Sequence, residues 1–154
     1  MRSFAGKEDF NLNYKKSEED EKKENLTPYA DRERESSNDR ITGAIFKTKV
    51  DQTHPMAFGY SDHYFTLKRG RSNYSLLDNG YNVSLIEDAK VYSGFAGKNA
   101  LNNLDQTLVF GEEQMGSGSF IYMVENTLFR SFWENGKLFL VNSIFFVNTN
   151  AFEL

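Results

Sequence analysis

Apolar and polar side chains alternate from Ile41 to Val50, with Ala44, Phe46, Thr48 and Val50 set against Ile45, Lys47 and Lys49. A period of two sends successive side chains to opposite faces, so this run predicts a strand with one apolar face. Asp51-Gln52-Thr53-His54-Pro55 reads as a turn, followed by Met56 to Tyr60. Shorter strands are predicted at Tyr64–Leu67 and Asn82–Ile86, the second after the turn Asp78-Asn79-Gly80. Residues 97–104 read as a short helix with Ala100, Leu101 and Leu104 on one side. Thr107–Gly111 is a further strand, and Met115–Ser119 a glycine-rich turn. Phe120–Val124 is nearly all apolar, the pattern of a strand covered on both faces. Trp133 to Val147 reads as a helix in which Leu138, Val141, Ile144 and Phe145 share a face. Phe139, Leu140, Phe146 and Val147 widen that face, so the helix is predicted to be largely buried, with Phe145 against Phe120–Val124, or packed between two partners. Strand, turn, strand and helix with short connections suggest the closing part of an α/β layered domain.

Charge divides the chain in two. Residues 1–40 hold 9 Lys/Arg and 11 Asp/Glu but 4 of the 23 aromatics. Such a segment buries too little apolar surface to offset the entropy of ordering. Residues 1–28 are therefore expected to be a disordered charged tether, and residues 29–39 a short helix after Pro28. Residues 29–154 form the domain. The net charge of −4 leaves no basic surplus for a phosphate backbone, which argues against nucleic-acid binding. No apolar run approaches the ~18 residues of a membrane span. Met1-Arg2-Ser3-Phe4 leads into charged residues without a signal-peptide core. The chain is thus expected to be cytosolic, or to lack the true beginning of a longer protein. Cysteine is absent, which removes disulfides and thiolate chemistry.

Few residues carry candidate chemistry. The histidines are His54 and His63. Neither belongs to an HExxH pair, although Asp62 beside His63 offers a weak ligand pair. His54, just before Pro55, reads more naturally as a side chain that orders its turn by hydrogen bonding the backbone. His63 reads as a surface-loop residue. Ser117 lacks the Gly-x-Ser-x-Gly spacing of a nucleophile elbow. Glu112 and Glu113 read as a solvated charge pair at a strand end, and no partner base can be placed for them or for Glu134. Aromatics and charges interleave from Phe129 to Lys137, including Arg130, Trp133 and Glu134. That stretch reads as an anchored start of the last helix, with a pocket or interface lining as its alternative.

Three phrases carry a resemblance: Thr42–Tyr60 with its His54-Pro55-Met56-Ala57-Phe58-Gly59, Leu108–Gly118, and Asn126–Leu138 with Phe132-Trp133-Glu134-Asn135-Gly136-Lys137. In this order they resemble the C-terminal region of large bacterial exported proteins of the zinc carboxypeptidase type. The resemblance spans about residues 29–154. It implies a partial flavodoxin-like, class I glutamine amidotransferase-like α/β domain whose first strands are missing. It also implies a non-catalytic accessory domain or fragment, with zinc held in an absent upstream peptidase domain and no cofactor in this chain. An amidotransferase needs a Cys-His-Glu triad, and there is no cysteine here. The rivals are a small metallohydrolase using His54, Asp62 and His63, and a protein–protein interaction module. The expected partner is the missing upstream domain or a second copy. Candidate ligand or pocket residues are His54, Asp62, His63, Arg130, Trp133 and Glu134; no catalytic residue and no metal ligand is assigned.

Overall fold

The alternating run becomes β1 (Ile41–Val50), the organising strand of the computed structural model, which describes residues 28–147. Its buried positions are Ile41, Ala44, Phe46, Thr48 and Val50, while Lys47 and Lys49 face solvent. One edge of β1 pairs with β2 (His63–Lys68) from Ala44 to Lys49. The other edge is shared: β4 (Val91–Ala96) takes Ile41 to Phe46, and β3 (Tyr81–Ile86) takes Lys49 and Val50. A single strand serving two neighbours along one edge forces the sheet to curl. Gly94 permits this, with φ at +90° and its α-carbon so close to the Gly43 carbonyl that a Cβ would stand 2.2 Å from it.

From β3 the sheet continues through β5 (Thr107–Met115) to β6 (Gly118–Met123). Every pairing among the described residues is antiparallel. The chain is therefore a mixed α/β one with a curled antiparallel sheet and few helices: α1 (Tyr29–Asn38), α2 (Lys98–Asn102) and α3 (Glu134–Phe145). The local reason is visible at β5 and β6, which pair up to Met115↔Gly118 and are joined through Gly116 and Ser117. A two-residue connection makes a hairpin, whereas parallel strands need a crossover of about a dozen residues. The expected charged tether lies, apart from Pro28, outside the described residues. Among these, no helix is long and apolar enough to cross a membrane.

One face of the sheet carries the main core, built on Phe46, Met56, Phe110 and Phe139. Leu77, Leu108 and Tyr122 form a smaller cluster. The aromatic centre is tight: Phe139 stacks on Tyr60 at 4.0 Å between centroids and lies 4.2 Å from Phe110, with Tyr64 edge-on at 5.2 Å. α3 thus reaches the core through Phe139, not through Phe145, which is 66% exposed. The expectation of Phe145 against Phe120–Val124 is corrected. The helix lies instead on β2 and on the single-turn 3₁₀ helix Pro55–Ala57, and its inward stripe is Gly136, Phe139 and Asn142. Gly136 is required at that stripe, since a Cβ there would meet the Thr127 carbonyl oxygen at 2.4 Å.

Burial separates the two phenylalanines sharply. Phe139→Ala should cost about 3–5 kcal/mol, as truncation of a fully buried ring does. Phe145→Ala should stay within about 0.5 kcal/mol, as at other exposed sites. Urea unfolding of both variants reads the difference; equal losses would place the core elsewhere.

Candidate functional site

The turn after β1 folds back over the sheet. Asp51 accepts at one oxygen, Oδ1, from both the amide (3.0 Å) and the hydroxyl (2.6 Å) of Thr53. These bonds, the hydroxyl first, hold the Asp51 carboxyl below its ordinary pKa. His54 then caps the 3₁₀ turn: its Nδ1 accepts the Met56 amide at 3.2 Å. This is the backbone-ordering role that its position before Pro55 suggested.

The other ring nitrogen has a partner the sequence reading did not place. His54 Nε2 lies 2.9 Å from Glu112 Oε2, and both side chains are only 7% exposed. Because Nδ1 accepts from the backbone, the ring proton sits on Nε2 and is donated to Glu112. Glu112 Oε1 accepts from Ser119 Oγ at 2.5 Å. The acidic pair is not solvated, because β5 runs on to Met115 and keeps Glu112 and Glu113 inside the sheet. Glu113 accepts from the Tyr122 hydroxyl at 2.8 Å. Burial, with Glu113 adding to it, pushes the Tyr122 phenol up to about 12.

The His54–Glu112 couple forms the wall of a cavity of about 500 Å³, completed by Asp51, Tyr81, Gln114, Ser117 and Phe146 among others. Tyr81 sits directly across the β3–β5 ladder from Glu112, and its ring lies 5.3 Å from the His54 ring. Among the described residues, no lysine or arginine lines this space. As a catalytic dyad the couple is poorly arranged. A general base needs a free lone pair aimed at substrate, and the lone pair of Nδ1 is engaged by Met56 N–H.

Asp62 and His63 pair with each other, His63 Nδ1 to Asp62 Oδ1 at 2.7 Å, at the start of β2. That bond, first, lowers the Asp62 pKa. His54 does not join them: no cluster of three His, Asp or Glu side chains able to hold a metal occurs among the described residues. Arg130, with φ at +50°, lies over the Phe129 ring at 5.3 Å. Trp133 and Glu134 line a second hollow of about 360 Å³ with Phe65, Tyr92 and Phe132. The stretch also anchors the helix: Trp133 Nε1 donates to the Tyr64 hydroxyl at 3.1 Å, and Asn135 Nδ2 to the Phe65 carbonyl at 3.2 Å. Burial raises the Tyr64 phenol to about 12. Glu134 turns outward to Lys137 at 2.5 Å. A buried ion pair also went unread: Lys68 Nζ, 3% exposed, lies 2.5 Å from Glu125 Oε1 and donates to the Ser72 carbonyl at 2.7 Å. Burial raises the Glu125 pKa even beside this cation.

The outer side of α3 is the remaining feature. Leu138, Val141, Ile144 and Phe145 are exposed in a row, and Phe58 flanks them through its edge contact with Phe146 at 5.4 Å. From Leu138 to Val147 there is no charged residue. Comparison with models of known protein families, with curated proteins and with solved structures finds no match.

Two outcomes test this geometry. In ¹⁵N spectra, His54 should carry its proton on Nε2 and none on Nδ1, and His54→Ala should destabilise by about 2–4 kcal/mol by leaving Glu112 short of a buried donor; a protonated Nδ1 would contradict the capping bond. Asp51 should titrate below an ordinary aspartate. A depressed folded-state pKa gives stability that is present above the unfolded pKa and lost as pH falls through the folded one. Thr53→Val should therefore bring the Asp51 midpoint up toward normal and weaken the protein in neutral buffer more than in strong acid; an unchanged midpoint would count against the hydroxyl.

Proposed function

We propose that this chain is a non-catalytic protein-interaction module that pairs with a second copy of itself through the outer face of α3. The observation that carries the reading is the row Leu138, Val141, Ile144 and Phe145, exposed on a helix whose opposite side is already buried. A helix apolar on both sides normally has a neighbour on both. With Phe58 and Phe146 the row exposes on the order of 500 Å², the size of a functional patch on a monomer. A stable pair buries about 800 Å² on each partner, so this patch supplies most of what a dimer needs. Each copy carries a net charge of −4. The uncharged stretch from Leu138 to Val147 is where two copies meet without like charges opposed, and a two-fold axis would set the same ridge against itself.

The engaged lone pair of His54 and the separation of His54 from Asp62 and His63 support the non-catalytic part over the metallohydrolase. The three sequence phrases remain the reason to set such a module beside a zinc carboxypeptidase-type peptidase domain as its amidotransferase-like end. The antiparallel sheet adds nothing to that relation, since a flavodoxin-like domain is built on parallel strands.

Light scattering across a concentration series tests the pairing. The parent should pass from monomer to dimer in the micromolar range, and Ile144→Glu with Phe145→Glu should stay monomeric, with a melting temperature close to that of the parent at concentrations where the parent is monomeric. A parent that remains monomeric throughout would refute self-pairing and leave the face to an upstream domain.

A further inference from the structure

The cavity beside His54 shares only Phe146 with the patch on the helix face, and its chemistry is one-sided. Among the described residues, its charged lining groups are the carboxylates of Asp51 and Glu112. His54 does not neutralise them, because Nδ1 accepts a backbone amide and the ring is then uncharged. Among the described residues, Glu112, deep in the wall, is met only by neutral donors in its hydrogen bonds, His54 Nε2–H at 2.9 Å and Ser119 Oγ–H at 2.5 Å. A carboxylate set in a wall with neutral partners keeps an attraction for a cation that a salt-bridged one has already satisfied. Lys68 and Glu125 show the contrast, since there the cation is built in.

The rest of the cavity suits an organic cation more than a bare metal ion. Tyr81, 53% exposed, and Phe146 bring two aromatic rings to the lining. Aromatic faces attract ammonium groups and shelter an attached alkyl chain. Gln114 and Ser117, on the exposed end of the β5–β6 hairpin, add acceptors for ammonium protons. A volume of about 500 Å³ lies within the usual range for small-molecule sites. We propose that the cavity bounded by Asp51, His54, Tyr81, Glu112 and Gln114 binds a small primary ammonium compound, its charged head toward Glu112 and its carbon chain against Tyr81.

Amide spectra of the full chain, titrated separately with n-butylammonium, n-butanol and butyrate, test this. Butylammonium should give saturable shifts at Tyr81, Glu112, Gln114 and Ser117, and the other two should give none. Tyr81→Leu should weaken binding about fivefold through loss of the ring face. Asp51→Asn should weaken it about twofold, by removing one partly screened charge. Glu112→Gln should abolish binding; if that variant does not fold, the two rim variants decide. Butyrate or butanol binding as well as butylammonium, absence of saturation by about 10 mM butylammonium, or unchanged affinity in both rim variants would overturn the proposal.

Discussion

The structure depends on how α3 is held by one side only. The Tyr60 hydroxyl stands between the helix carbonyl of Asn135, to which it donates at 2.6 Å, and the amide of Phe139, from which it accepts at 3.1 Å. Its ring stacks on Phe139 below, and burial raises its phenol pKa. Two turns along, Asn142, fully buried, donates to the carbonyls of Met56 and Phe58 at 2.9 and 2.7 Å. Those are carbonyls of the single-turn segment that follows His54. A short helix has little stability of its own, and here tertiary anchors supply it. Because polar and aromatic anchors both sit on the inner stripe, the outer stripe is left apolar and exposed.

The same clamp positions the cavity. With Met56 and Phe58 fixed to α3, the 3₁₀ turn has one placement, and His54 at its start is set over Glu112. Phe146, just past the helix, reaches the cavity wall as well. The helix face and the cavity are thus two outcomes of one anchoring scheme, and Phe146 borders both.

Much of this was legible locally. The alternation of β1, the hairpin turn at Gly116 and Ser117, and the helix starting near Trp133 each follow from patterns a few residues long. The capping role of His54 was legible for the same reason, since a residue before proline in a turn has its backbone partner two positions away. The missed features are long-range. β4 has no apolar alternation because most of Val91–Ala96 is exposed, and it is recruited by the edge of β1 and by its two end residues, Val91 and Ala96, packing on the core. Glu112 reads as solvated until the strand is known to continue past it and the His54 turn to fold over it. Phe145 was assigned inward because a helix with apolar residues on every side gives no phase; Gly136 and Asn142, which look like poor helix residues, mark the buried stripe. The antiparallel order of the sheet is likewise set by hairpin length and edge sharing, which a strand-by-strand reading does not reveal.

The coupling between α3 and the His54 turn is the claim on which the rest stands. Native-state amide hydrogen exchange in the parent and in Asn142→Ala measures it directly. The account predicts that in the variant the amides of Met56 and Phe58 lose protection together with those of α3, while β1 and β5 keep theirs. Loss of protection in α3 alone, with the turn at Pro55–Ala57 unchanged, would contradict it.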